Sequence, residues 1–218
     1  MQTFLEEVLL PIIKKEASLE NYVFVLPSKR AGTFLRDSIA KNTTTTILAP
    51  EIYSIESFVE KISGLNPATH TQQFFELYRA YYNSVDGEKD NFYAFTKWGN
   101  TLLQDFNEID RFLIDPNKLF SHLSAIQEIN HWSLEKEKST MISNYLSFWN
   151  SLENIYYAFT DLLSKQGVGH QGMLYRSACA NLDEYLSKNT SIKHVFIGFN
   201  ALNTAEEQNI TTILETTK

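Results

Sequence analysis

The sequence predicts an α/β fold: a small parallel sheet with helices between its strands, carrying a large all-helical insertion. Three short, continuously apolar runs, two near the start and one near the end, suit strands covered on both faces. Each run is followed by a helix-spaced apolar pattern, and residues 67–189 between the second and third runs read as nearly all helix. The expected division is an α/β core of residues 1–66 and 190–218 with a helical insertion subdomain of residues 67–189. With 43% hydrophobic and 13% aromatic residues, the 218-residue chain can build a core without staples, and disordered, collagen-like and disulfide-scaffold classes are excluded.

Met1 to Lys15 reads as an ordinary helix. Glu6 and Glu7 precede the apolar stretch Val8–Ile13, whereas a signal peptide would open with basic residues. Tyr22–Leu26 is the first expected strand and stops at Pro27; Phe34, Leu35 and Ile39 mark the helix after it. Ile47–Ala49 is the second expected strand, between Thr43–Thr46 and Pro50, with Ile55, Phe58, Val59 and Ile62 on the next helix. His194–Ile197 is the third and stops at Gly198. Thr204-Ala205-Glu206-Glu207 then reads as a capping box opening a helix through Ile210, Ile213 and Leu214. Three strands are few for a parallel sheet, so further strands from a longer polypeptide are expected to complete it.

Within the insertion, Phe95, Trp98, Leu102, Phe106, Ile109 and Leu113 recur at steps of three and four. Ile142, Tyr145, Trp149, Leu152, Tyr156, Phe159 and Leu163 do the same in strict alternation, a spacing that a coiled-coil seam also shows. Leu146, Phe148, Ile155 and Leu162 widen that stripe, so a helix buried on more than one side of a bundle is the preferred reading. Asp86-Gly87 and Gly167-Val168-Gly169 are the expected breaks, and Gly167–Gly172 reads as a loop.

Charge and motifs then narrow the function. A net charge of −7 argues against a chain that binds nucleic acid over its whole surface. The single cysteine, Cys179, points to a reducing compartment and reads as a structural thiol, and no apolar run is long enough to span a bilayer; the expected location is cytoplasmic, with no membrane partner. The first strand and its turn, Val25 to Thr33, stand where a P-loop would be, but Pro27 lies near the first glycine, Thr33 replaces the lysine and Phe34 the hydroxyl. The third strand ends Phe196-Ile197-Gly198-Phe199-Asn200 with no carboxylate for magnesium. No lysine has Asp or Glu two positions earlier, so the PD-(D/E)XK nuclease signature is absent from these residues.

The remaining constellations are weaker. Asp105, Glu108 and Asp110 resemble a carboxylate metal group but read better as a solvated face beside Phe106 and Ile109. The histidines His70, His122, His131, His170 and His194 lack zinc spacing. No catalytic, cofactor or metal residue is expected. Lys29 and Arg30 remain as candidate phosphate or DNA contacts, since they follow a central strand and open a helix, where anions bind. A solvated turn carrying two cations is the competing reading.

Several segments taken together resemble one family. Phe24 to Arg36, Pro50-Glu51-Ile52 with Ser54 to Phe58, Leu103 to Asp115, Gly172-Met173-Leu174-Tyr175-Arg176 and Gly198 to Leu202 resemble, in order, the opening region of AddB-related proteins of the PD-(D/E)XK nuclease superfamily. The resemblance implies a RecA/P-loop-like, superfamily 1 helicase domain 1 core with degraded ATPase motifs, Thr33 falling at the Walker lysine and Ile197 and Gly198 near the Walker acidic residues. It implies an inactivated helicase-like scaffold in DNA double-strand-break repair and recombination, without enzyme activity or cofactor in this region, whose partners are DNA and an AddA-like helicase-nuclease subunit. The nuclease residues of that family have no counterpart here. A helical protein-interaction module without nucleic acid, and an atypical live ATPase, are the alternatives.

Overall fold

The structure is a computed structural model describing residues 3–16, 18–44, 46–132 and 140–216; the side chains of residues 127–132 and 140–147 lie outside that description. Two compact units emerge, Met1–Ser63 with Ser177–Lys218, and Gly64–Arg176. One helix, α9 (Gln171–Lys188), runs unbroken from the second unit into the first, so no turn residue marks that boundary.

The first unit is α/β. Strand β1 (Tyr22–Leu26) lies between β2 (Glu51–Ser54) and β5 (Lys193–Phe196), parallel to both. All five β1 residues are buried, as expected of a central strand between helical layers. Tyr22, Phe24 and Leu26 pack with Leu9 of α1 (Phe4–Lys15) and with Leu35 and Ile39 of α2 (Lys29–Asn42). In the other layer, Phe58 of α3 (Ile55–Ser63) meets the rings of Tyr53, Tyr185, His194 and Phe196 at centroid distances of 5.8 to 6.2 Å. Burying each such phenylalanine contributes about 2–3 kcal/mol.

Several local expectations need correction. The second strand is Glu51–Ser54, not Ile47–Ala49, which has no regular structure. Pro50, without an N–H, precedes the strand rather than ending one. Because β2 is an edge strand it needs no apolar run, and its exposed Glu51 pairs with Lys61 at 2.6 Å. The third strand begins at Lys193, although Ile197 N–H still donates to Val25 O at 3.0 Å. Helix α10 (Thr204–Thr216) is capped one residue earlier than expected: Glu206 N–H donates to Asn203 Oδ1 at 2.9 Å, and Asn203 N–H to Glu206 Oε2 at 3.0 Å. Phe34 and Leu214, members of the helix-spaced apolar patterns, are 54% and 50% exposed.

The second unit holds α4 (His70–Ser84), α5 (Phe92–Phe95), α6 (Gly99–Arg111), α7 (Pro116–Trp132) and α8 (Thr140–Lys165). It is not wholly helical: β3 (Asn66–Pro67) and β4 (Val168–Gly169) form a two-stranded parallel ladder, so Val168 and Gly169 are strand rather than loop. Two residues are too few to leave a periodic signal. Helix α8 packs against both α4 and α7, and Leu152, Ile155, Tyr156, Phe159 and Leu163 are buried, as a bundle helix requires. Ile142, Tyr145, Leu146 and His131 lie outside the described side chains. The stripe from Phe95 to Leu113 spans two helices. After Phe95 the chain turns, letting Trp98 Nε1–H donate to Asp90 Oδ2 at 2.9 Å. Leu113, in the left-handed region at φ 54°, ends α6; Ile114 N–H donates to Ile109 O and Leu113 N–H to Asp110 O. Among the described residues, no helix is long and apolar enough to cross a membrane.

Candidate functional site

The β1–α2 corner carries the sequence candidates. Strand β1 ends at Leu26 and α2 begins at Lys29, leaving Pro27 and Ser28 as the whole connection. Ser28 caps the helix, its Oγ accepting Ala31 N–H at 3.2 Å. Lys29 and Arg30 occupy the first helical turn, both exposed, and no ion pair among the described residues includes either. Two cations at the positive end of a helix are locally unfavourable, and a bound anion relieves that. The Arg30 guanidinium lies 5.8 Å from the centroid of the exposed Phe34 ring. Aromatic rings beside cations are the elements with which proteins hold single-stranded nucleic acid.

The same corner has no phosphate cradle. In a P-loop the backbone N–H groups of an open loop wrap the phosphates. Here Gly32 lies in the first turns of α2, its N–H donating to Ser28 O at 3.3 Å, and Thr33 Oγ1 donates to Lys29 O at 3.4 Å. Gly32 serves packing instead, since a Cβ there would sit 3.2 Å from Ile52 Cγ2 of β2. At the end of β5, Ile197 is 2% exposed within the α1/α2 core, and Gly198 turns the chain at φ 80°.

A second charged cluster lies within the helical unit, and here the solvated-face reading of the acidic triplet fails for one member. Asp105 and Glu108 are exposed, but Asp110 is wholly buried. It accepts hydrogen bonds from Tyr156 Oη–H and from Arg176 Nε–H, the latter at 2.6 Å. Arg176 also donates through Nη2 to Ile109 O and Ile114 O, at 2.9 and 2.7 Å, clamping the carbonyl end of α6. Burial holds the Asp110 carboxyl above its usual range despite Tyr156 and Arg176, and pushes the Tyr156 phenol up.

His170 Nε2 lies 3.3 Å from Asp110 Oδ2, while its Nδ1 accepts Met173 N–H at 3.3 Å. With Nδ1 so occupied, the neutral ring carries its proton on Nε2 and has no lone pair left for a base. Burial, then the Arg176 charge, pull its pKa down to about 3. Through these contacts the cluster ties together residues of α6, α8 and α9. Asn107 Oδ1 accepts Gly172 N–H at 2.7 Å beside it, so the segments Leu103–Asp115 and Gly172–Arg176 meet face to face.

No group of three His, Cys, Asp or Glu among the described residues is arranged to hold a metal. Cys179 is half-buried, donating to Ala205 O at 3.5 Å and accepting Asn209 Nδ2–H at 3.2 Å, as a structural thiol does. One signal in the sequence marks Asp110: it stands seven residues after the buried Leu103 and four after Phe106, on the covered face of α6. Tyr156 lies on the covered stripe of α8 that the spacing shows, but neither it nor Arg176 is marked along the chain as a partner of Asp110. Comparison of the chain with protein-family models and with curated proteins finds no match.

Proposed function

We propose that the chain is a catalytically inactive, helicase-like scaffold module, RecA/P-loop-like in its core, from an AddB-type helicase–nuclease subunit acting in DNA double-strand-break repair. It works by contacting DNA or docking a partner subunit of the AddA type, without turnover. The observation that supports this above the others is the β1–α2 corner. A two-residue turn and a closed helix stand where an ATPase keeps an open phosphate loop, yet two cations without an ion pair among the described residues remain on that edge of the sheet. A scaffold descended from a motor would keep the parallel frame and lose the cradle. The live-ATPase alternative has to find its phosphate ligands elsewhere, since the N–H groups of Ala31 and Gly32 already serve Ser28.

Isothermal titration with Mg·ATP, alongside a phosphate-release assay, tests the reading. The expected result is no turnover and no micromolar binding. Micromolar affinity, or turnover that disappears in Lys29→Ala, would overturn it.

A further inference from the structure

Two neighbouring cavities of about 490 Å³ each open on the helical unit, with Trp98, Phe148 and Trp149 lining both. The first runs between α6, α7 and α8 and is floored by Phe106 and Phe120; the second lies beside Trp98 and is also lined by Tyr81 and Val85. Five of their lining residues are acidic: Asp105 and Glu108 on the first, Asp86, Glu88 and Asp90 on the second. Neither has a lysine or arginine among its described lining residues.

From this pairing of an apolar floor with a rim that is acidic among the described residues, we infer that the surface bearing these two cavities docks an amphipathic helix of a partner protein, its apolar stripe on the tryptophans and its flanks basic. An aromatic trough suits helix-in-groove recognition, in which residues one and two turns apart supply the anchors. The rim sets the sign of the partner. Asp90 already accepts the Trp98 indole N–H, and Glu108 has Arg111 3.6 Å away, but no ion pair among the described residues includes Asp86, Glu88 or Asp105. Partial desolvation holds the exposed Asp105 carboxyl above its usual range, and a lysine or arginine seated there would stabilise its charged form. An acidic or nucleic-acid occupant would meet five like charges instead. The inference rests on the partner-docking half of the proposed function and is independent of nucleotide binding and of Lys29 and Arg30.

The full chain should be titrated, by fluorescence anisotropy, with two labelled synthetic helical peptides of about five turns. Both carry one leucine face; one has lysine on its flanks and the other glutamate. The lysine peptide is expected to bind at least about ten-fold more tightly, and less tightly as salt rises. Glu88→Lys/Asp105→Lys, both at exposed sites, should reverse the preference. Glu20→Lys/Glu56→Lys, the same charge change on exposed residues of the α/β unit, should preserve it. Absence of binding by either peptide, equal binding of both, or a preference that survives the first pair or vanishes with the second would overturn the inference. The salt titration of the unaltered chain stands as a separate reading should the first pair impair folding: salt-independent affinity would equally overturn it.

Discussion

The molecule holds two charged groups that behave oppositely in the fold, one adjacent in sequence and the other assembled from residues 66 apart. Lys29 and Arg30 stand on the first turn of α2, exposed and without an ion pair among the described residues. Asp110 and Arg176 stand where α6 ends and α9 begins, and their polar atoms meet Tyr156, two backbone carbonyls and each other. The difference shows where charge serves folding and where it stays available for a ligand. A buried carboxylate must be matched or it destabilises the fold, so its partners are fixed. An exposed cation at a helix N-terminus gains nothing from the fold and slightly opposes it.

The sharpest way to break this contrast is Asp110→Ala. It leaves the Tyr156 hydroxyl and one face of Arg176 unmatched inside the unit, and should destabilise the chain by about 3 kcal/mol. Urea unfolding measures it; a loss below about 1 kcal/mol would place Asp110 among ordinary surface charges. Gly172→Ala probes the same junction sterically. A Cβ there would lie 2.3 Å from the Asn107 carbonyl oxygen, so α6 and α9 must part, at a cost of about 2 kcal/mol. A variant as stable as the parent would show that the junction tolerates a shift.

Much of the first unit was legible in the sequence, and for a physical reason. Tyr22–Leu26 is buried on both faces, and that alone requires a continuous apolar run. The edge strand β2 escaped because half-exposed strands tolerate Glu51 and Tyr53, and a nearby apolar triplet, Ile47–Ala49, looked better. The Asp110 cluster escaped because its members come from α6, α8 and α9, and no spacing along the chain reports a contact 46 or 66 residues away. Lys29 and Arg30 were legible because their meaning is local: a strand end, a helix start and no nearby acid.

The histidines extend the contrast to pH. His194 of β5 is buried against Phe58, with Nε2 2.9 Å from Tyr185 Oη, and burial with the Lys61 charge pulls its pKa down to about 4. The folded state therefore binds this proton less readily than the unfolded state, whose histidine titrates near 6.5. Its contribution to stability is complete above pH 6.5 and is lost as pH falls toward about 4, by up to about 1.4 kcal/mol per pH unit. His170 acts with the same sign, down to about pH 3. Asp110, raised by burial, acts with the opposite sign, and other shifted carboxylates such as Asp105 and Glu51 also enter the parent's total pH curve. The difference in stability between the parent and His194→Gln isolates His194. It should shrink between pH 6.5 and 4; a difference that stays constant would mean that His194 keeps its ordinary pKa.

The smallest expected effect falls on the exposed cations. Lys29→Ala/Arg30→Ala should leave stability within about 0.5 kcal/mol of the parent, with any change toward greater stability because like charge leaves the helix N-terminus. A loss of more than about 1 kcal/mol would mean that the corner is structural, like Asp110.

Binding of single- and double-stranded DNA across a salt series, by the parent and by Lys29→Ala/Arg30→Ala, tests the central claim most directly. The account predicts weak binding by the parent and a log–log salt slope about two units shallower in the double variant, one for each lost phosphate contact, with stability unchanged. An identical slope and affinity in both proteins, or no DNA binding by either, would contradict the assignment of this corner as a nucleic-acid contact.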